Sequence, residues 1–295
     1  MKPDVEIHRG QLFGIAYRML GSVADAEDIV QDAFLRWETY PDWAQVESPK
    51  AWLVTAVTRL CIDMLRSARH LREQYVGIYL PEPLVEGPGN TPDREAALSD
   101  SLSTAFLLML ETLSPAERAV FLLREGFGYD YDEIAQTVGK SAANCRQIVT
   151  RSKERLADRR TRFLAAPSDS ESLVKTFFAA SATGDVSQIL ATLATNATMY
   201  SDGGGRVKAA GRPIIGADNI ARFLVGIRRF GTMPTDVRFA RVNGTAGALI
   251  FEDGRLTQTA SFEIRDGRIE AISIMRNPDK LIHLADLDRA PDDIG

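Results

Sequence analysis

The chain has 295 residues, a length typical of two or three domains, and its 45% hydrophobic and 25% charged residues are ordinary for a soluble globular protein. No window approaches a run of ~18 apolar residues and the polar start lacks the apolar core of a signal peptide, so we expect a cytoplasmic chain without a membrane span. The two cysteines and three histidines are scattered, which argues against disulfides, metal sites and cofactors, and the net charge of −5 by itself gives no sign of nucleic acid.

The first segment, over 1–71, is predicted to be a helical domain. Apolar residues recur at helical spacing in VADAEDIVQDAFLRW, and Ser22 is a suitable N-cap for that helix. A second helical segment, SPKAWLVTAVTRLCIDMLRSARH, offers Ser48 as a cap and Pro49 in its first turn.

A linker rich in proline and glycine is predicted over 72–93, where YLPEPLVEGPGNTPD interrupts the helical pattern. Helical periodicity returns over 94–165. REAALSDSLSTAFLLMLETL is predicted to be one helix, and SPAERAVFLLREGF another, with Ser114 and Glu117 forming a capping box.

Two further helices, DYDEIAQTVG and SAANCRQIVTRSKERLADRR, are joined by a tight turn at Gly139 and Lys140 and predict a helix-turn-helix. The second helix would bury its apolar face and turn Asn144, Gln147, Thr150 and Arg151 outward, toward base edges and phosphates. Residues 138–162 carry eight basic and two acidic residues, a local field that favours DNA over a merely solvated helix.

The C-terminal part is predicted to be an α+β domain over 168–276. Two helices precede the short alternating segments ATMYS, VRFARV, GALIFE, LTQTASFEI and RIEAISIM, and DNIARFLVGIRRF inserts one more helix. We expect a curved antiparallel sheet with hairpin turns at Asp253-Gly254 and Asp266-Gly267. The segment 277–295 that follows ends in an acidic tail, which we expect to be disordered.

The motifs over 1–165 resemble those of extracytoplasmic-function sigma factors, in the expected order. DAEDIVQDAFLRW and AWLVTAVTRLCIDMLRS resemble their region 2, and EIAQTVGKSAANCRQIVTRSKERL resembles their region 4. One departure is Leu60, where the family often has Asn after the arginine. The resemblance implies a multidomain protein in which two all-α sigma domains direct RNA polymerase to promoters.

The resemblance also implies a role for three groups of residues. Core RNA polymerase, through its β and β′ subunits, would be bound by an acidic and polar helix face: Asp25, Asp28, Gln31, Asp32 and Leu35. The −10 element would be contacted by Trp43, Arg59, Arg66 and Arg69. The −35 element would be contacted by Ser141, Asn144, Arg146, Gln147, Thr150, Arg151 and Lys153.

The C-terminal domain resembles SnoaL-like, or nuclear-transport-factor-like (NTF2-like), cone domains, as in the ECF41 or SigJ type of sigma factor. YLPEPL in the linker, DGGGR and NPDKL carry this resemblance, although Tyr79 stands where the linker motif usually begins with Trp. It implies modulation in cis through interdomain contacts made by the last two motifs: Asp202, Gly203, Gly204, Gly205, Arg206, Asn277, Pro278, Asp279, Lys280 and Leu281.

Two other function classes remain open at this point. Related cone domains include enzymes with buried carboxylates, and Glu252 or Glu263 facing the cone interior would favour catalysis or a pocket for an unidentified small ligand. The strands carry no histidine, so we expect no catalytic residue and no enzyme. A DNA-binding regulator that works without polymerase is the other alternative, and the region 2 resemblance opposes it.

Overall fold

The computed structural model describes residues 2–73, 75–86, 103–160, 170–228 and 236–288, and only the backbone of 68–73, 157–160, 228 and 288. None of the helices in these ranges is both long and apolar enough to cross a membrane. The chain forms two compact units. The first comprises Met1–Glu73, Asn90–Asp100 and Leu107–Arg159, and the second comprises Gln74–Gly89, Ser101–Phe106 and Arg160–Gly295. These units cross the predicted domain boundaries, because the linker segments pack with the C-terminal domain.

The first unit begins with three helices, α1 (Arg9–Leu20), α2 (Val23–Thr39) and α3 (Pro49–Glu73). The turn between α1 and α2 is made by Gly21, whose φ of 70° is open to glycine without strain. The predicted cap at Ser22 is confirmed, since its hydroxyl accepts the N–H of Asp25. Trp37 is fully buried in the core that the three helices share.

Helix α4 (Thr104–Leu110) begins in the second unit and ends in the first, and the first unit continues with α5 (Pro115–Phe121), a π-helical turn (Leu122–Gly126), α6 (Tyr131–Val138) and α7 (Ala142–Arg160). The predicted capping box of Ser114 and Glu117 starts α5, and Gly139, with φ of 67°, makes the turn between α6 and α7. The predicted helix over 94–113 is described only from Thr104 onward, and the remainder of that prediction lies outside the described residues.

A buried arginine ties the two helical parts of the first unit together. Arg118 on α5 donates to the carbonyl of Met19 on α1 at 2.6 Å and to that of Leu110 at 3.0 Å. Gln11 on α1 also donates to the hydroxyl of Tyr129 at 3.0 Å. Buried polar groups are stabilising only when they are hydrogen-bonded, and Arg118 is satisfied by both parts. The helices that precede the linker therefore pack together with the helices that follow it, including the helix-turn-helix, in one unit.

The second unit contains three helices and a mixed six-stranded sheet of order β2-β1-β6-β5-β4-β3. Its elements are α8 (Ser170–Thr183), α9 (Val186–Thr192), β1 (Leu193–Asp202), β2 (Ile214–Ile215), α10 (Ala217–Arg228), β3 (Asp236–Val242), β4 (Thr245–Glu252), β5 (Arg255–Arg265) and β6 (Arg268–Met275). The prediction of a wholly antiparallel sheet is wrong, because β1 and β6 pair in parallel. The connection through α10 leads into the meander β3–β6, whose last strand runs beside β1 in the same direction.

The helices cover one face of this curved sheet, and aromatic rings fill the space between them. Phe177 on α8 packs edge-on against Phe262 on β5 with 5.4 Å between ring centroids, and Phe178 contacts Phe262 and Phe239 at 5.9 and 5.7 Å. Such edge-to-face pairs add to the stabilisation that burial of the rings provides. The interior of the cone is thus a packed aromatic core.

The opposite face of the sheet is contacted by Thr104 and Ala105 and by the C-terminal segment, and the linker pairs along the free edge of β3. Val85 bridges Val242 of β3, and the N–H of Glu86 donates to the carbonyl of Arg241. The prediction of a disordered tail is wrong for Ile282–Asp288, which forms a 3-10 helix because Leu284 is buried. The last seven residues of that prediction lie outside the described residues.

Candidate nucleic-acid interface and linker-binding site

Helix α7 presents the outward face that its sequence predicts. Cys145, Ile148 and Val149 are buried. Of the residues predicted to contact the −35 element, Asn144 is half-buried and the other six are exposed: Ser141, Arg146, Gln147, Thr150, Arg151 and Lys153. The hydroxyl of Ser141 accepts the N–H of Asn144 and so caps the helix. This face can reach base edges and phosphates at the same time.

Two cations on α7 are paired with carboxylates of neighbouring segments. Lys153 lies 2.8 Å from Glu125, and Arg155 lies 3.5 Å from Glu117. A count of charges along α7 alone does not reveal these pairs, because the carboxylates come from α5 and the π-helical turn. These pairs offset part of the positive charge that the sequence places on α7.

The residues predicted to contact the −10 element lie in different surroundings. Trp43 is half-buried in a 3-10 turn (Trp43–Gln45), and Arg66 is exposed, 3.6 Å from Asp63. Arg59 donates to the carbonyls of Gln136 and Thr137, each at 2.9 Å, at the end of α6.

A cationic side chain suits that position because the carbonyls at a helix C-terminus carry partial negative charge. Thr55, on the same α3 face, contacts the Thr137 hydroxyl at 3.1 Å. Arg69 lies on α3, but its side chain is outside the described residues.

The residues predicted to contact polymerase form one exposed face of α2. Asp25, Asp28, Gln31 and Asp32 are all exposed, and Leu35 exposes 54% of its surface although it is apolar. Leu35 and Gln31 also line a cleft of about 240 Å³ between α2 and the N-terminal residues Pro3–Glu6. This face of α2 therefore combines acidic and polar side chains with one exposed leucine.

The three sequence motifs of the linker and C-terminal domain meet at one buried carboxylate. Asp202, at the end of β1, accepts hydrogen bonds from the Tyr75 hydroxyl at 2.6 Å, the Leu80 N–H at 2.9 Å and the Lys280 ammonium at 2.8 Å. It has no exposed surface. Burying a carboxylate is costly unless it is paired and hydrogen-bonded; these three donors come from segments distant in sequence, and the Gly204 N–H adds a local hydrogen bond at 2.9 Å.

Lys280 is held in a cage of aromatic rings and oxygen atoms. Its ammonium lies 3.4 Å from the ring centroid of Tyr79 and 4.7 Å from that of Tyr75, and it donates to the carbonyl of Leu80 at 2.5 Å. Its side chain is only 9% exposed. A desolvated cation over aromatic faces gains a further attraction, so the linker tyrosines bind the NPDKL lysine through their rings.

Close approach of backbones explains the glycines of DGGGR. Gly204 has φ of 58°, and a Cβ at this position would overlap the carboxamide of Asn277, while Gly205 faces Val76 of the linker. Asn277 donates to the Tyr75 hydroxyl at 2.9 Å. Burial and the hydrogen bond to Asp202 together raise the pKa of Tyr75 above its usual value, so the phenol stays protonated and able to donate.

A second ion pair between the DGGGR and NPDKL motifs lies at the surface. Arg206 lies 3.0 Å from Asp279, and both side chains are more than half exposed. Pro278 is exposed and Leu281 is buried. The structure thus brings nearly all of the predicted regulatory residues to one site with the linker.

A second linker contact centres on residues that sequence reasoning missed. Asn243, in the β3–β4 turn, binds the backbone of Leu84 and the hydroxyl of Thr104. Its Asn-Gly dipeptide is a hairpin signal and could have placed the turn, but nothing local indicates its partners.

Glu263 faces the linker and not the cone interior. Its neighbour Phe262 lies in the aromatic core, so alternation along β5 directs Glu263 to the opposite face, where it accepts the N–H of Ala105 at 3.4 Å. Burial raises the pKa of Glu263 to about 7; the Ser103 side chain and the Ala105 N–H lower it, and the nearby Glu270 raises it. Glu252 is half-buried and accepts from Gln258. No cluster of metal-ligating side chains occurs among the described residues.

Comparison with known proteins identifies the family to which the chain belongs. The Sigma-70 region 2 family model matches residues 5–71, and the Sigma-70 region 4 model matches 103–156. The ECF RNA polymerase sigma factor SigJ of Mycobacterium tuberculosis is 36% identical over 288 residues, which cover 94% of this chain and 92% of that relative. The chain belongs to the extracytoplasmic-function sigma factor family.

Other members show which parts of this sigma factor are shared. The crystal structure of Mycobacterium tuberculosis SigJ matches with a TM-score of 0.76 and 33% identity, over 94% of this chain and 97% of that one. The ferric citrate uptake sigma factor FecI of Escherichia coli is 32% identical over 149 residues, which cover 50% of this chain and 83% of FecI. The predicted fold class is confirmed: helical sigma regions 2 and 4 precede a helix-and-sheet cone domain. These relatives are sigma factors, a class of proteins that are not enzymes.

Proposed function

We propose that this sigma factor binds core RNA polymerase in the cytoplasm, recognises −35 and −10 promoter elements and starts transcription, with its C-terminal domain modulating that activity in cis. The observation that carries the proposal is the contact of Asp202 with the linker between regions 2 and 4. A single buried carboxylate at the end of β1 holds the segment whose two ends carry the DNA-reading helices.

Polymerase binding is assigned to the exposed face of α2. Asp28 and Asp32 give this face a negative field, and Leu35 gives it an apolar centre beside a cleft. Interfaces of this kind combine electrostatic steering with a desolvated hydrophobic anchor. A basic and apolar partner surface is the matching chemistry.

Recognition of the −35 element is assigned to α7. Gln147 and Asn144 can pair with adenine edges, and Arg151 can pair with guanine or phosphate. All three lie on its outward side, away from Cys145, Ile148 and Val149.

Recognition of the −10 element is assigned to Trp43 and to the arginines of α3. Arg59 would exchange two neutral carbonyl acceptors on α6 for a charged phosphate, which is the stronger partner for a guanidinium. Contact with DNA would therefore favour separation of region 2 from region 4.

The first experiment tests the sigma assignment with the full-length chain. We expect co-elution with bacterial core RNA polymerase and transcripts with defined starts from genomic DNA. Gln147→Ala and Arg151→Ala should reduce those transcripts about tenfold, the effect of about 1–3 kcal/mol per base contact, while core binding is unchanged. Arg212→Ala, an exposed arginine of the C-terminal domain, is the matched control.

The outcomes separate the alternatives. Unchanged transcription from both α7 variants would remove the assigned recognition helix. DNA binding without co-elution with competent core enzyme would make the chain a stand-alone regulator.

Modulation in cis is tested by Tyr75→Phe, which keeps the ring over Lys280 but removes the hydroxyl that bonds Asp202 and Asn277. We expect faster amide exchange across residues 75–86 and a changed transcription output. A higher transcription output would mean that the C-terminal domain restrains the sigma activity, and a lower output would mean that it supports that activity. Faster exchange with wild-type output would overturn modulation through this contact.

A further inference from the structure

The linker segment 75–86, called the linker peptide below, lies on the second unit as an extended peptide lies on a binding domain. It forms no helix, and Pro81 and Pro83 favour extended conformations in the residues that precede them. Val85 forms a β-bridge with Val242 at the free edge of β3. The linker peptide therefore joins the edge of the sheet in the manner of an added strand.

Main-chain hydrogen bonds hold the linker peptide in the linker-binding site. Asn243 exchanges two hydrogen bonds of 2.7 Å with the N–H and the carbonyl of Leu84. The His283 ring donates to the carbonyl of the preceding residue at 2.8 Å, and Asp202 accepts the Leu80 N–H at 2.9 Å. Main-chain groups are the same in every sequence, so an extended segment of another protein can make these bonds as well.

Side chains restrict which segments fit the linker-binding site. Leu80, Leu84 and Val85 expose only 2%, 1% and 6% of their surface. The Tyr79 ring centroid lies 3.4 Å from the ammonium of Lys280, and both prolines of the linker peptide are buried. Proline also restricts the free peptide and so lowers the entropy cost of binding. The matching ligand is an extended segment with the pattern aromatic-Leu-Pro-x-Pro-Leu.

The chain fills this site with its own segment because attachment raises the local concentration of the linker peptide. For modules joined by short flexible connections this effective concentration is in the millimolar range. A second copy of the chain brings the same sequence without added affinity, so it gains nothing over the attached segment at ordinary concentrations. A different protein can carry the same pattern together with further contacts, and it is the competitor that the site favours.

We propose that the linker-binding site is a docking site for an extended aromatic-Leu-Pro-x-Pro-Leu segment of a partner protein, which displaces the linker peptide and thereby changes transcription output. The regulatory part of this inference rests on the proposed function, whereas the docking part does not. Asn243 and Asp202 act as positioning residues for whichever segment occupies the site.

The probe is a fluorescent synthetic peptide, YVGIYLPEPLVE, with the sequence of the linker peptide, added to the full chain. Leu84→Ala empties the site for the probe, because loss of a buried leucine weakens the attached segment by at least about thirtyfold. Leu80→Ala is a second opening variant, and both are checked for folding by thermal unfolding. The matched control is Ile215→Ala, which truncates an exposed side chain on β2.

We expect fluorescence anisotropy to show the probe binding Leu84→Ala at least about tenfold more tightly than the wild type or Ile215→Ala. Adding Asn243→Gly to Leu84→Ala should weaken that binding about fivefold, the effect of one lost hydrogen bond, and glycine suits the φ of 50° at this position. A probe carrying Leu80→Asp and Leu84→Asp should not bind.

Two further readouts use the wild-type chain with the probe at millimolar concentration. Amide exchange at Leu80 and Leu84 of the chain should become faster, because the probe replaces the attached segment. Transcription with core polymerase should change in the same direction as in Tyr75→Phe, which loosens the same segment from within.

The outcomes are distinct. Failure of the probe to bind folded Leu84→Ala and Leu80→Ala overturns the docking site, and so does binding that is unaffected by Asn243→Gly. Displacement of the linker peptide with unchanged output from an active wild type overturns the regulatory role. If the wild type initiates at no template, the proposed sigma function is wrong, while the binding data still decide the docking site. A wild-type dimer that the probe dissociates would make a second copy the occupant and overturn the assignment to a partner protein.

Discussion

Asp202 and Lys280 form a buried ion pair, with 2.8 Å between the carboxylate oxygen and the ammonium nitrogen, although they belong to motifs 78 residues apart. Breaking a buried pair by removing one partner leaves an uncompensated charge, which costs about 3–5 kcal/mol. Asp202→Asn and Lys280→Met should each destabilise the second unit by that order in chemical denaturation. The matched control is the exposed pair of Arg206 and Asp279, where Arg206→Ala should cost under about 1 kcal/mol. Equal losses for both pairs would contradict the assignment of Asp202 as the centre of the linker-binding site.

Gly204→Ala should be more costly than Gly254→Ala. Both glycines have positive φ, 58° and 75°, which costs an alanine about 1–2 kcal/mol. Only at Gly204 does the new Cβ also overlap Asn277, whereas it meets open space at Gly254. Denaturation curves should separate the two variants, and Gly204→Ala should also expose Tyr75 to solvent, measured by its fluorescence. Similar stability of the two variants would mean that Asn277 moves without loss.

Glu263 should make the stability of the second unit depend on pH. Its folded-state pKa is about 7 against an ordinary value of 4.5, so the unfolded chain ionises first as the pH rises. Stability is unaffected by this group below about pH 4.5, falls between pH 4.5 and 7, and stays reduced above pH 7, by at most about 3 kcal/mol. Glu263→Gln should therefore gain stability over the wild type as the pH is raised from 5 to 8. A difference that is constant across this range would show that ionisation of Glu263 is not responsible.

Arg59→Ala should loosen the contact between α3 and α6. Its two charge-assisted hydrogen bonds are partly exposed, so we expect a loss of about 1 kcal/mol in the first unit and faster amide exchange in Tyr131–Val138. Arg66→Ala, seven residues along the same helix and 65% exposed at its side chain, should change stability by less than about 0.5 kcal/mol. Unaltered exchange in α6 after Arg59→Ala would place the contact between regions 2 and 4 elsewhere.

Local signals predicted most secondary-structure elements of the fold. Ser22, Ser114 and Gly139 mark helix ends because capping depends on a few neighbouring residues, and the structure confirms each. Strand positions followed from alternation. The direction of β1 relative to β6 could not be read, because pairing between strands about 70 residues apart leaves no local trace.

The candidate sites were predictable only where a motif carried them. Asp202 and Lys280 were predicted because they belong to the DGGGR and NPDKL motifs, and their partner Tyr79 was noted because it begins the linker motif. Asn243 was not predicted, because an Asn-Gly turn has the same sequence whether or not a distant segment binds it. Glu263 was recognised as a candidate, yet alternation assigns it a face without saying that residues 103–105 cover that face.

The linker is made long before the surface that binds it. Leu84 and Thr104 precede Asn243 by 159 and 139 residues, which a ribosome adds in roughly 7–30 s at about 5–20 residues per second. During that interval regions 2 and 4 are complete while no sheet exists to hold the segment between them. Every newly made molecule therefore passes through a stage in which Leu84 and Thr104 are not yet bound by Asn243, and these hydrogen bonds form only as the last strands leave the ribosome.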